Sequence, residues 1–159
     1  MEKDQHESWI DLVIRMAERN AAEGEGPFAA IVVHQGEMVS AGVNRTVAEQ
    51  DPCAHAELTA VREACKQLKR ADLSDCTLYA SGEPCPMCMG AIYWAKLGAV
   101  YYACSKEEAA RDANFGDPLH GFAAELARPP AERAIAFHQV LAPSRLEPFK
   151  IWRRNQMKA

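Results

Sequence analysis

The sequence predicts a three-layer α/β domain, with one central mixed sheet of five strands covered by helices on both faces. Three observations carry that expectation. Apolar residues at helical spacing alternate along the chain with short β-rich runs, most of these runs are separated by stretches long enough for helical crossovers, and the first two are close enough for a hairpin. A chain of 159 residues also matches one domain, because domains cluster near roughly 100–150 residues, so residues 1–159 are read as a single unit.

Asp4 and Glu7 have the spacing of a capping box, and Trp9, Leu12, Val13, Met16 and Ala17 recur at helical spacing. The first element is therefore an amphipathic helix running to about Ala22, stopped by Gly24-Glu25-Gly26-Pro27. Residues 28–34 and 38–43 are β-rich and separated by Gln35-Gly36-Glu37, which predicts an antiparallel pair. Residues 54–68 place Leu58, Val61 and Cys65 on one stripe and Arg62, Lys66 and Lys69 on another, a second helix. Residues 77–80 read as a short buried strand, 86–96 as a third helix and 99–103 as another strand. The sheet is then expected to be mostly parallel beyond its hairpin. Residues 106–113 read as a short helix and Asn114-Phe115-Gly116-Asp117-Pro118 as turn chemistry. Beyond Pro129-Pro130, residues 135–141 are expected to form the fifth strand and 146–158 a closing helix with a basic tail.

Composition narrows the function classes. Hydrophobic residues make up 48% and charged ones 25%, the balance of a globular chain rather than a disordered or fibrous one. Lys and Arg total 18 against 22 Asp and Glu, a net charge of −4, the wrong sign for a general polyanion binder. Nucleic acid is therefore not the expected partner. No apolar run approaches the roughly 18–20 residues of a membrane span and the first residues are polar, so no membrane partner and a cytoplasmic location are expected. In that reducing setting the six cysteines read as metal ligands and buried thiols rather than disulfides, with Cys53, Cys65, Cys76 and Cys104 as bystanders.

Two segments stand apart: Cys53-Ala54-His55-Ala56-Glu57 and Glu83-Pro84-Cys85-Pro86-Met87-Cys88. Each opens a helix. Cys85 and Cys88 are three residues apart, so in a first helical turn their sulfurs share a face, and Pro86 is tolerated there because that turn lacks intrahelical N–H partners. The field of the helix N-terminus favours thiolate. With His55 as a third ligand, one imidazole and two thiolates suit tetrahedral Zn²⁺, leaving a fourth position for water as in a catalytic site. Glu57 follows His55 by about 200° of helical rotation, which turns it toward a different side of the cavity and casts it as proton shuttle. A Cys-x-x-Cys alone is equally a structural zinc half-site, a redox pair or chance. Joined to His-x-Glu upstream, it becomes the zinc nucleobase-deaminase signature.

At these residues the chain resembles the cytidine deaminase superfamily, and over most of its length the bacterial guanine deaminases within it. The closer likeness is carried by Gly26-Pro27-Phe28, Asp51-Pro52 before His55, Gly90-Ala91-Ile92-Tyr93-Trp94-Ala95, Phe115-Gly116-Asp117 and Pro148-Phe149-Lys150-Ile151-Trp152-Arg153. The resemblance implies a three-layer α-β-α cytidine-deaminase-like fold, a homodimer and a small-molecule nucleobase substrate. It also implies that Asn44 holds the ring edge, Phe28 and Trp94 line the base slot, Ala56 joins the substrate contacts and Asp117 meets ring nitrogens. Each residue has a plainer reading too: Asn44 as a turn residue, Phe28 and Trp94 as packing, Asp117 as the start of a turn. Two departures stand out. Where those relatives carry paired aspartates, this chain has Gly116-Asp117, and it ends Gln156-Met157-Lys158-Ala159 rather than on the aromatic that can cap the base in them. The tail, about 142–159, is expected to pack on or swap with a partner subunit.

The reaction these readings imply is hydrolytic deamination of a free base, guanine giving xanthine and ammonia. Zinc would lower the pKa of water toward about 7, and Glu57 would relay protons to a ring nitrogen and to the departing amine. Isocytosine, cytosine or another aminated heterocycle is the alternative substrate, with tRNA adenosine after it. A zinc-stabilised module that binds without turnover is the reading from a different class.

Overall fold

The computed structural model describes residues 3–158, with side chains from Gln5 onward. They divide into two compact units, Met1–His120 and Gly121–Ala159. In the first unit, helix α1 (Lys3–Ala22) leads into strands β1 (Ala29–His34) and β2 (Glu37–Val43), then α2 (Ala56–Leu68), β3 (Cys76–Gly82), α3 (Pro86–Trp94), β4 (Ala99–Cys104) and α4 (Lys106–Ala113). Helix α1 begins at Lys3, ahead of Asp4. The expected Asp4–Glu7 box is therefore not its cap, and the Asp4 side chain lies outside the described residues.

The hairpin turns on Gln35 and Gly36, both at positive φ (51° and 81°). That is the left-handed pair whose twist matches the strands it joins. Strand β1 then pairs antiparallel with β3 on its other edge, and only β3 with β4 is parallel. The sheet order is β2-β1-β3-β4, so the mixed sheet has four strands instead of five, and two of its three pairings are antiparallel. The expectation of a mostly parallel sheet fails because the crossover through α2 carries β3 past β1, the strand that runs against it.

Side-chain alternation along β1 splits the core into two layers. Ala29, Ile31 and Val33 face α1, where they meet Val13, Ala17 and Tyr79. Ala30 and Val32 face the other way and pack with Ala56, Ala60, Val61 and Ala64 of α2 and Ile92 of α3. The small residues of α2 let it lie close on the sheet. A Cβ at Gly42 of β2 would stand 2.3 Å from the Ala56 carbonyl oxygen and 2.9 Å from the Ala60 nitrogen, so that glycine sets the approach of the helix that carries His55 and Glu57.

The second unit holds helices α5 (Phe122–Ala127) and α6 (Glu147–Gln156) and a short 3₁₀ turn at Pro130–Glu132. The fifth strand expected at 135–141 does not form: these residues make no ladder, and Ile135 is 76% and Val140 79% exposed. An isolated apolar run has no edge to bond to, and a strand's main-chain groups need one. No described residue of this unit is fully buried. Among the described residues no helix is long and apolar enough to cross a membrane.

Candidate metal and active site

Three strand ends and two helix starts meet in the first unit. Asn44 follows β2, Glu83 follows β3, and the Glu83 N–H donates to the Cys104 carbonyl at the end of β4 at 2.8 Å. Its carboxylate accepts from the Lys106 N–H at 3.0 Å, which ties the start of α4 to the loop entering α3. Crevices of this kind, outside the carboxyl ends of strands, are where α/β sheets bind ligands.

His55 caps α2 and Cys85 caps α3, both with extended backbone (φ −78°, ψ 150° and φ −71°, ψ 167°). The His55 side chain makes no bond back to its own helix, while the Cys85 sulfur accepts from the N–H groups of Met87 and Cys88 in the first turn of α3. His55 Nδ1 lies 3.6 Å from Cys85 Sγ and 3.5 Å from Cys88 Sγ, and the three candidate ligand atoms all lie within 4.8 Å of one another. Ligands around one tetrahedral Zn²⁺, with Zn–N of about 2.0–2.1 Å and Zn–S of about 2.3 Å, stand about 3.5 Å apart for an N···S pair. The residues fit the ion. A hydrogen bond with Cys88 is the main force holding the Cys85 thiol down at about 5, against its desolvation. The same bond, with burial and the nearby Glu57, pushes Cys88 up.

Glu57 is only 5% exposed, and its Oε2 accepts from the Cys88 thiol at 3.5 Å. Burial pushes its carboxyl pKa up, opposed by its own backbone N–H and by Cys88. The rotation argument from sequence misplaces this group. Because His55 is an extended cap and α2 starts at Ala56, no helical turn separates the two residues, and the carboxylate lies against the cluster rather than on another side of it.

The remaining candidates separate into those near this cluster and those apart from it. Asn44 is buried, its N–H donates to the Phe28 carbonyl at 3.0 Å, and so it sits beside Phe28 at the mouth of the sheet. Ala56, buried, opens α2, and the helix itself leaves its N–H unused. Asp117 accepts from the Leu119 N–H at 2.9 Å, the turn role, two residues from Phe115. The Phe115 ring packs edge-on against Phe28 at 5.4 Å between centroids. Trp94 is not brought to the cluster. It ends α3, about 9 Å of helix rise beyond Cys88, and is 87% exposed.

Sequence reading missed the residues behind Asn44. Asn20 in α1 donates from Nδ2 to the Gly26 carbonyl at 2.9 Å and to the Asn44 carbonyl at 2.8 Å. Glu25 accepts from the Val47 and Ala48 N–H groups at 3.1 and 2.7 Å, pinning the loop before His55. The signal for Asn20 was present: it continues the buried Val13, Ala17 stripe at helical spacing as a polar residue. Of the bystander cysteines, Cys76 is buried, with its thiol pushed up to about 11 mainly by desolvation. Cys53 and Cys104 are exposed.

Fold and site together define a deaminase of the zinc-binding type. The family profile described as cytidine and deoxycytidylate deaminase zinc-binding region matches residues 3–104, and the chain belongs to this family. Its likeness to bacterial guanine deaminases runs the length of the chain. Guanine deaminase of Bacillus subtilis (strain 168) is 44% identical over 149 residues, covering 93% of this chain and 94% of that protein. The X-ray structure of guanine deaminase from Bacillus subtilis matches with a TM-score of 0.86 at 42% identity, covering 97% of this chain and 95% of that one. The tRNA-specific adenosine deaminase of Aquifex aeolicus (strain VF5) is 37% identical over 97 residues, covering 61% of this chain and 64% of that protein.

Proposed function

We propose that this deaminase hydrolyses guanine to xanthine and ammonia with a Zn²⁺ ion held by His55, Cys85 and Cys88. The observation that carries the reading is the buried Glu57 carboxylate against that three-ligand cluster, in a fold that a guanine deaminase matches from end to end. When bound, zinc supplies Lewis acidity that makes water nucleophilic near neutral pH. Glu57 does the proton work by relaying both protons of the attacking water: it carries the first to a ring nitrogen as the bond from C2 to oxygen forms, then carries the second from the C2 hydroxyl to the amine as the bond from C2 to nitrogen breaks, leaving a carbonyl and ammonia. Burial suits it to this, since it raises the carboxyl pKa from its ordinary value, the direction that brings a proton shuttle closer to the operating pH.

Asn44 and the Ala56 N–H hold the base edge, Phe28 lies against its face, and Asp117 meets ring N–H groups from the loop that Phe115 anchors. Aromatic faces are sequence-tolerant platforms for bases, whereas the polar groups discriminate, because a base with the wrong donor pattern leaves them unpaired and buried. The chain acts as a homodimer in which a second copy covers the apolar residues of the second unit, including residues 142–159. Trp94, exposed on α3 beside Tyr93, serves the base slot across that subunit boundary.

Ammonia release from guanine, isocytosine, cytosine, adenine and guanosine tests the reading. Guanine is expected to turn over fastest. Rapid loss of ammonia from cytosine with none from guanine overturns the substrate, and no turnover of any of the five by zinc-loaded protein favours the binding-module reading.

A further inference from the structure

Gly26, like Gly42 and Gly82, is not required by backbone conformation: it is absent from the positive-φ residues. What a side chain there would strike is the carboxamide of Asn44. A Cβ at Gly26 would lie 2.9 Å from Asn44 Cγ, 3.1 Å from Oδ1 and 3.2 Å from Nδ2. Real Cβ atoms essentially never approach within 3.0 Å of another heavy atom, so the carboxamide would have to move.

That carboxamide has little freedom to move without changing what it offers. Its Oδ1 accepts from the Thr46 N–H at 3.2 Å and from the Thr46 hydroxyl at 2.9 Å, which engages both lone pairs of the amide oxygen. Its main chain is fixed by the Phe28 carbonyl on one side and by Asn20 on the other. The same Asn20 amide grips the Gly26 carbonyl, so the two segments are held at a set spacing. A flipped amide would aim NH₂ at the Thr46 N–H, donor against donor. With its oxygen engaged by Thr46, the Asn44 carboxamide has only Nδ2 left to offer, a pure donor.

We propose that Gly26 is a specificity-determining residue: its missing side chain lets the Asn44 carboxamide lie back against residue 26 with its oxygen spent on Thr46, so that the site offers an N–H donor to a ring acceptor of the base. This rests on the reading that Asn44 meets the substrate. The ligand class it selects is an aminated heterocycle with a carbonyl oxygen or unprotonated ring nitrogen on the edge facing Asn44.

Steady-state ammonia release from guanine by zinc-loaded protein tests it, with Gly26→Ala, Asn44→Ala and the double variant, each checked for zinc content and thermal melting. Gly26→Ala is expected to lower kcat/KM for guanine between about tenfold and a hundredfold, mostly through KM, the scale of a misplaced contact. In the Asn44→Ala background the same change should add nothing, since the group it displaces is gone. An unchanged KM in Asn44→Ala sinks the substrate reading and this inference with it. A loss in Asn44→Ala with none in Gly26→Ala, or equal losses from Gly26→Ala in both backgrounds, sinks the Gly26 inference alone.

Discussion

Residues 28–34 and 135–141 read alike as sequence, both short apolar runs that end near polar turn residues, yet one supplies a central strand of the sheet and the other is no strand at all. Strand β1 has β2 on one edge and β3 on the other, and α1 and α2 on its two faces. Ile31 and Val32 are fully buried there, whereas Phe137 and Leu141 lie exposed. The run at 135–141 has none of these neighbours within its own unit. Strand propensity is a statement about fitting a pleated, half-covered surface, so the difference lies in what surrounds each run, and only the first helps build a site.

The sharpest way to break that comparison is kinetic. Glu57→Gln, in the helix packed on β1, should keep zinc yet lower the rate about 10²–10⁴-fold, the usual weight of a general acid–base group. His138→Gln in the second run should leave the rate within about twofold, as expected for an exposed side chain outside the reacting groups. Ammonia release and metal analysis on the two proteins decide it. Near-normal turnover by Glu57→Gln would remove that residue from the chemistry.

Stability gives the next largest contrast. Truncating Ile31 to Ala in β1 should cost about 2–5 kcal/mol by urea unfolding, as for other buried aliphatics. The same truncation at Ile135 should cost under about 0.5 kcal/mol in protein dilute enough to be monomeric. A loss at Ile135 that matches Ile31 under those conditions would mean the run is covered within its own chain after all.

Much of the first unit was legible because its elements satisfy each other locally. The α1 stripe, the antiparallel hairpin around Gln35-Gly36 and the two helix-opening motifs depend on spacings of two to four residues, which sequence displays directly, though Glu37 joins β2 and shortens the expected three-residue turn to two. What was not legible depended on partners far along the chain or absent from it. The place of β3 beside β1 follows from how α2 crosses the sheet, and the strand-like run at 135–141 lacks an edge. That His55, Cys85 and Cys88 come together was readable from type and spacing. The Glu57 orientation was not, because it turns on whether His55 is helical or an extended cap. Phe115 appeared only as a member of a motif, and its packing on Phe28 needed coordinates.

The proposed homodimer supplies a third and smaller test. If a second copy covers the second unit, Val140→Ser and Leu141→Ser should each weaken association by about 1–2 kcal/mol, roughly tenfold in the dimer dissociation constant, from lost apolar burial. Sedimentation across a concentration series reads this directly. A chain that stays monomeric at the highest concentrations, with both variants behaving like the parent, would leave those residues uncovered and Trp94 without a neighbouring site to serve.

The smallest expected effect concerns the far end of β1, where His34 Nε2 meets Asp75 Oδ2 at 2.9 Å and Arg70 bonds the other carboxylate oxygen. Chiefly through the Arg70 hydrogen bond, Asp75 is held down at about 2, below the value of about 3.9 for an unfolded aspartate. A depressed folded pKa means the carboxylate stabilises the fold at pH values above about 4, and that this contribution fades as pH falls from about 4 through about 2. The group is solvent-exposed, so screening keeps the effect small. The expected outcome is that Asp75→Asn melts slightly below the parent at pH 5, that the gap closes by pH 2, and that 1 M salt shrinks it at pH 5, where the Debye length is about 3 Å. A gap that persists unchanged at pH 2 would show that Asp75 acts there by packing and turn geometry rather than by its charge, and would separate the anchoring of β1 from electrostatics altogether.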